Sequence, residues 1–152
     1  MLTQLSTRRE DGNQDLVDLL GECHQRIRRF IDLARRAASQ PDAPPDQVAQ
    51  ACADVERYFV EALPLHVADE EESIEPRLRG LSPSVDLALD AMAQQHREHA
   101  SKLEALLRAT VRVRREPHDE RARGELATAA IALETEFEGH LALEENTIFP
   151  AI

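Results

Sequence analysis

Apolar residues recur at intervals of three and four in four separate stretches of this chain, which is the spacing of one face of an α-helix. The first stretch predicts a helix over about 16–38, followed by a break at the Pro-rich segment 39–45. The second predicts a helix from about 46 that ends by Pro76. Pro64 lies inside this second stretch, and we expect it to bend the helix because it removes a backbone hydrogen bond.

The second half of the chain repeats this layout. Ser82 followed by Pro83 predicts a helix start, because a hydroxyl caps free backbone N–H groups and Pro fits the first turn. The apolar pattern then predicts a third helix over about 83–115 and a fourth over about 119–146, weakened at Gly124. Four amphipathic helices with short connections predict an all-α fold, an up-down-up-down antiparallel four-helix bundle.

Composition agrees with a helical protein and narrows the classes of function. The 152 residues suit one domain over 1–152, with residues 1–12 as a flexible N-terminal arm. Aromatic residues make up only 3% of the chain, which argues against a β-sandwich or barrel. A net charge of −11 argues against nucleic acid and anionic membranes as partners. No apolar run is long enough for a membrane span or a signal core, so we expect a cytoplasmic protein.

One unusual sequence motif occurs twice in the chain. HVADEEESIEP at 66–76 and HLALEENTIFP at 140–150 share His, three residues, Glu-Glu, one residue, Ser or Thr, Ile, one residue and Pro. The two segments close the second and fourth predicted helices. Helix one carries His24, and helix three carries His96 and His99. The chain is therefore predicted to consist of two similar helical hairpins related by a pseudo-twofold axis.

The repeated segments predict a metal site. Residues four apart share a helix face, so His66 points with Glu70, and His140 points with Glu144. Both pairs continue the apolar stripe of their helix and should face the bundle interior. A buried carboxylate costs several kcal/mol unless it is paired or bound to a metal, and no Lys lies on the interior stripes. A pair of divalent cations would resolve the conflict, and imidazole with carboxylate suits iron, manganese or zinc.

These residues together resemble the hemerythrin, or HHE cation-binding, domain over nearly the whole chain. The residues that carry the resemblance are His24, His66, Glu70, His96, His99, His140 and Glu144. The resemblance implies a four-helix bundle around a non-heme di-iron centre. It assigns His96, His99 and His140 to one iron. It assigns His24 and His66 to the second iron, with the two glutamates bridging.

The third helix departs from the pattern of the oxygen-carrying hemerythrins. In those proteins the two third-helix histidines are four residues apart and the fourth-helix carboxylate is an Asp, whereas His96 and His99 are three apart and the carboxylate is Glu144. Bacterial members of the family often use one third-helix histidine only. Either His96 or His99 can therefore lie outside the ligand set, and His96 fits the apolar stripe better.

Other polar and aromatic residues near the repeats are interpreted without a role in the site. Cys23 and Cys52 suggest no disulfide framework. The remaining residues interpreted as solvated, loop or packing residues are Asp69, Glu71, Glu72, Glu75, Arg26, Arg28, Arg29, His118 and Tyr58.

The resemblance implies two iron ions as the cofactor, with zinc or manganese as alternatives, and dioxygen or nitric oxide as a small ligand. We expect oxygen binding, storage or sensing without assigned turnover. One alternative is a di-iron redox enzyme: an oxidase, a peroxidase, or a protein of nitric-oxide handling or iron-centre repair. Another is a metal-sensing regulatory domain that acts through a partner. The sequence does not predict the oligomeric state.

Overall fold

Helices account for nearly all of residues 2–152, the part of the chain that the computed structural model describes, with side chains from Gly12 onwards. No strand occurs in these residues. The α-helices are α1 Leu2–Ser39, α2 Pro45–Arg57, α3 Leu63–Asp69, α4 Glu75–Leu78, α5 Pro83–Arg115 and α6 Glu120–Leu143. Three π-helical turns, Tyr58–Ala62, Glu70–Ile74 and Glu144–Ile148, and a final 3₁₀ turn, Phe149–Ala151, complete the list.

The helices form four rods that pack as a bundle, which confirms the predicted all-helical class. The helices α2, α3 and α4 follow one another through two π-helical turns and make up the second rod, 45–78. Neighbours in the bundle are α1 with α2, α2 with α5, α5 with α6, and α6 with α1. Phe30 of α1 stacks on Tyr58 of the second rod, and His24 of α1 contacts His66 of the same rod. The later residue of α1 thus contacts the earlier residue of the second rod.

Helix bounds follow the sequence closely in the third rod and less closely elsewhere. Helix α5 begins at Pro83 as predicted, where the Ser82 hydroxyl accepts a hydrogen bond of 3.2 Å from the Val85 amide. Helix α1 begins earlier than predicted, and α6 runs through Gly124 without a break. The flexibility expected of residues 1–12 stays a prediction, because residue 1 and the side chains of residues 2–11 lie outside the described part.

Two prolines lie inside the second rod, each shortly after a π-helical turn. Pro64 lies in the first turn of α3, directly after the π-helical turn Tyr58–Ala62, and the rod continues through it. The bend expected at Pro64 stays a prediction. The rod also continues past Pro76, which lies in the first turn of α4, and ends at Leu78 rather than before the proline.

Two apolar clusters fill the bundle, one on each side of a polar layer. The larger contains Ile27 and Leu63, and the smaller contains Leu20 and Ile74. His24 lies between Leu20 and Ile27 along α1, so the layer that holds it is closed from both ends by buried apolar side chains. Each fully buried aliphatic side chain contributes roughly 1.5–3 kcal/mol. No helix in residues 2–152 is long and apolar enough to cross a bilayer.

Candidate metal centre

Six of the seven predicted site residues converge in the polar layer. Their donor atoms form two sets, and within each set all atoms lie within 4.8 Å of one another. The first half-site consists of His24, His66, Glu70 and Glu144. The second half-site consists of His96, His140, Glu70 and Glu144. Both carboxylates therefore belong to both half-sites.

In the first half-site, each imidazole directs Nε2 at a carboxylate. His24 Nε2 lies 2.9 Å from Glu144 Oε2, and His66 Nε2 lies 3.1 Å from Glu70 Oε1. All four side chains are buried, with at most 6% of each exposed. The helix that carries His24 and the rod that carries His66 thus supply one nitrogen donor each.

The second half-site has the same inner arrangement with longer contacts at one histidine. His140 Nε2 lies 2.7 Å from Glu144 Oε1. His96 Nε2 lies 3.5 Å from Glu70 Oε1 and 3.7 Å from Glu144 Oε1, so it faces both carboxylates. These four side chains come from α5, α6 and the two π-helical turns.

The two carboxylates begin matching π-helical turns. The Glu75 amide donates to the Glu70 carbonyl, and the Phe149 amide donates to the Glu144 carbonyl, five residues apart in each case. In both repeats a proline lies two residues after the end of the turn, at Pro76 and Pro150. Proline cannot continue regular α-helical hydrogen bonding, and π-helical turns occur often at functional sites.

Many buried polar atoms of these side chains lack a hydrogen-bond partner among the described residues. They are Nε2 of His24 and His96, both ring nitrogens of His66, and all four carboxylate oxygens of Glu70 and Glu144. Buried polar groups in proteins are nearly always satisfied, and an unpaired carboxylate is among the most costly to bury. Nitrogen and oxygen donors that face a common space without mutual hydrogen bonds fit bound cations.

Burial and charge push the histidine pKa values apart. Burial lowers the pKa of His66 from 6.5 to about 4. Burial also acts to lower the pKa of His96, but three nearby carboxylates outweigh it and raise that pKa to about 10. The three carboxylates belong to Glu144, Glu70 and Glu71.

The two shared carboxyls also differ. Burial raises the pKa of Glu70 well above its usual value. At Glu144 the neighbouring imidazoles of His140, His24 and His96 overcome the effect of burial and lower the pKa well below its usual value. A bound cation takes the place of protons at such ligands, so its binding releases protons.

Hydrogen bonds from Nδ1 hold three of the histidine rings in place. His24 Nδ1–H donates to Glu145 Oε1 at 3.0 Å, and His96 Nδ1–H donates to Glu71 Oε1 at 2.8 Å. His140 Nδ1–H donates to Gln95 Oε1 at 2.8 Å. A proton on Nδ1 leaves Nε2 bare, which is the form that binds a metal.

Arg28 fixes one of these partners in turn. Its guanidinium donates to both Glu145 oxygens, at 2.9 and 3.2 Å, and these bonds lower the pKa of the Glu145 carboxyl. The interpretation of Glu71 and Arg28 as only solvated residues was therefore wrong. The signal in the sequence is the second Glu of each repeated segment, at 71 and 145.

His99 is the predicted site residue that belongs to neither half-site. Its ring is 4% exposed, stacks on Phe137 at 4.4 Å between centroids, and meets the His140 ring edge-on at 4.8 Å. It lines a cavity of about 30 Å³ together with His66 and His96. Its role as a direct metal ligand stays a prediction. Burial lowers the pKa of His99 to about 4.

The comparison with protein families bears directly on this centre. The model of the hemerythrin HHE cation binding domain matches residues 15–152. The chain belongs to the hemerythrin HHE family. This result confirms the resemblance seen in the sequence and shows that the chain is a cation-binding protein, in agreement with the two half-sites. Comparison of this hemerythrin domain with curated proteins and with solved structures gave no match.

Two other sequence interpretations can be compared with the structure. His118 is exposed in the turn between α5 and α6, as expected of a loop residue. Tyr58 stacks on Phe30 at 4.3 Å between ring centroids, as expected of a packing residue.

Proposed function

We propose that this hemerythrin domain binds two iron ions, one in each half-site, and takes up a small diatomic ligand such as dioxygen or nitric oxide. The observation that carries the proposal is the sharing of both carboxylates by two sets of donors. Glu70 and Glu144 would bridge the ions, and each ion would receive two imidazoles. The same layer borders a cavity of about 30 Å³.

The chemistry of the donors favours iron over a structural zinc. All donors in the two half-sites are nitrogen or oxygen, and neither cysteine belongs to them. Imidazole with carboxylate suits iron and manganese, whereas closed structural zinc sites usually include thiolates. A bound non-heme iron pair supplies redox chemistry and coordination positions for a small ligand.

The residues of the chain itself orient the donors and limit what can enter. The Nδ1 hydrogen bonds of three histidines fix ring orientation and tautomer. Apolar side chains, among them Leu63, Val67 and Leu103, form most of the remaining cavity wall. About 10–15 Å³ of such space holds one water molecule. A cavity of about 30 Å³ therefore admits a molecule of two or three heavy atoms.

We further propose the up-down-up-down order of the rods and the pseudo-twofold relation between the two hairpins. The hydrogen bonds to the second Glu of each repeat support both. Glu145 of the second hairpin accepts from His24 of the first, and Glu71 of the first accepts from His96 of the second. Arg28–Glu138 and Arg35–Glu134 pairs support opposite directions for α1 and α6.

A di-iron redox enzyme is the second candidate. The position of His99 favours it, because without this ligand each ion has two imidazoles and shares two carboxylates. A lower ratio of imidazole to carboxylate favours redox turnover over reversible ligand binding. The cytoplasmic location and a role in sensing through a partner stay predictions.

Metal analysis combined with an optical spectrum tests the proposal. Protein grown with iron should contain two iron ions per chain and show a near-ultraviolet charge-transfer band that shifts when azide is added. Spectral changes in air that reverse under vacuum would support ligand binding, and rapid irreversible oxidation would support the enzyme. Binding of zinc alone, or of no metal, would contradict the iron proposal. Glu72→Gln is a matched control, because Glu72 is exposed in the same π-helical turn as Glu70.

A further inference from the structure

One polar side chain lines the cavity that residues of both half-sites border, without belonging to either half-site. His99 borders the same space as His66, His96 and His140, yet its nitrogens belong to neither donor set. Each of the other three has Nε2 within 3.5 Å of a glutamate oxygen. In residues 12–152 no carboxylate forms an ion pair with His99.

Aromatic contacts hold the His99 ring in this position. The ring stacks on Phe137 with an interplanar angle of 27° and stands at 88° to the His140 ring. Both contacts lie along α6, one turn apart. Rotation of the ring into either half-site would break the stacking on Phe137. The packing thus favours a fixed ring in the wall of the cavity over a mobile ring that coordinates metal.

The imidazole of His99 also has an N–H group that can donate a hydrogen bond. An imidazole carries at least one N–H in either charge state, and no described residue accepts a hydrogen bond from this ring. Ile27, Leu63, Val67 and Leu103 form the apolar wall of the cavity. A molecule in the cavity could therefore accept a hydrogen bond from this N–H.

We propose that His99 is a positioning residue whose N–H donates a hydrogen bond to the small ligand, and that it does not coordinate metal. The proposal rests on the proposed function, since it takes the ligand to occupy this cavity. It identifies the ligand class as molecules of two or three heavy atoms with a terminal oxygen or nitrogen acceptor. Molecules of the same size without an acceptor should gain nothing from His99.

Azide is the probe for the test, with iron-loaded protein and its variants His99→Leu and His99→Gln. Leu removes the donor, and Gln keeps an N–H donor. We expect His99→Leu to retain the wild-type iron content but to bind azide about tenfold more weakly, the effect of one hydrogen bond to an anion. His99→Gln should restore most of the affinity. The azide stretching frequency should shift in the Leu variant and return towards the wild-type value in the Gln variant.

His118→Leu is the matched control, because His118 is an exposed histidine in a turn. Loss of iron from both His99 variants would show instead that His99 is a ligand and would overturn the proposal. Full iron content with unchanged azide affinity would also overturn it. Failure of the wild-type protein to bind iron or azide would refute the proposed function itself, a distinct result. If His99→Leu does not fold, His99→Met removes the same donor with a side chain that adapts to irregular spaces.

Discussion

The two half-sites have the same inner donors but different support behind them. In the second half-site both histidines donate from Nδ1, His96 to Glu71 and His140 to Gln95. In the first half-site only His24 has such a partner, and His66 Nδ1 is buried without one.

The difference can be traced to single positions in the repeat. Cys23 precedes His24 just as Gln95 precedes His96, and both positions are half-buried. A thiol stands where the other hairpin has the amide that holds His140. Arg28, by contrast, strengthens the first half-site by fixing Glu145, and Ala100 occupies the corresponding place in α5. The inner donors of the two half-sites thus correspond, whereas the outer partners differ.

Removal of a shared carboxylate should give the largest effect, because it damages both half-sites at once. Glu144→Gln is expected to abolish tight binding of both ions, since Glu144 faces His24, His96 and His140. Iron per chain, measured after desalting, should fall below one. Glu145→Gln is a control next in sequence that should retain both ions with weaker affinity. Wild-type iron content in Glu144→Gln would contradict a shared site.

Metal removal should destabilise the fold. An ion that binds only the folded state and is present at a free concentration of about 100 times its Kd raises the free energy of unfolding by about 2.7 kcal/mol. For a chain of this size that corresponds to a rise in Tm of roughly 5–10 °C. Thermal unfolding followed by circular dichroism, before and after verified chelation, measures the difference. An equal Tm for both forms would exclude a site in the core.

Outer partners should affect one half-site each. Gln95→Ala frees His140 Nδ1 and should weaken one ion by about 10–100-fold while the other is retained. Cys23→Ala, at the matching position, should leave both affinities unchanged, because no described bond joins Cys23 to His66. Titration with a competing chelator measures the two constants. Equal effects of the two variants would remove the asymmetry described above.

The metal-free protein should show opposite pH responses from the two half-sites. His66 has its pKa lowered from 6.5 to about 4, so the unfolded chain binds more protons in this range. Stability from His66 is therefore present above about pH 6.5 and is lost as the pH falls towards about 4. His96 has its pKa raised to about 10, so its contribution is present below about pH 6.5 and is lost as the pH rises through about 10.

The urea concentration at the midpoint of unfolding, measured across this pH range, reports the loss of stability on the acid side (the acid limb) and on the alkaline side (the alkaline limb). His66→Gln should flatten the acid limb, although His99, whose pKa is also lowered to about 4, will retain part of it. His118→Gln should leave both limbs unchanged. Stability that rises on acidification below about pH 6 would contradict the buried neutral state of His66.

The smallest expected effect comes from making the two half-sites alike. Cys23→Gln places the amide of the second hairpin at the equivalent position in the first, where His66 Nδ1 has no partner. Burial raises the pKa of the Cys23 thiol, and so do the carboxylates of Asp69 and Glu70 on the rod that carries His66. The ion in the first half-site should bind a few-fold more tightly. A decrease in its affinity would show that the positions are not equivalent.

The sequence predicted the inner site better than its surroundings, for a physical reason. Spacing of four on a helix fixes which side chains share a face, so His66 with Glu70 and His140 with Glu144 could be placed from the pattern alone. The family match and the converging donors agree with that placement. The role of each as a metal ligand remains a proposal that the experiments above test.

Contacts between rods and local backbone changes could not be read in this way. The pairing of Glu71 with His96 depends on the relative height of two rods, which helical periodicity does not encode. The π-helical turns at Glu70 and Glu144 were missed as well, although a proline six residues after each Glu was a signal. His99 could be placed on an interior face, but only packing against Phe137 separates it from the donor sets.

The exchange of the second Glu between hairpins has a consequence for the origin of the chain. Each hairpin supplies a Glu that orients a histidine of the other, and each half-site includes a carboxylate from the other hairpin, so neither hairpin completes a half-site alone. Two identical copies of one hairpin would satisfy each other in the same way. The arrangement is the one expected if a symmetric homodimer of a shorter chain preceded a gene duplication and fusion, after which Cys23 and Gln95 were free to diverge.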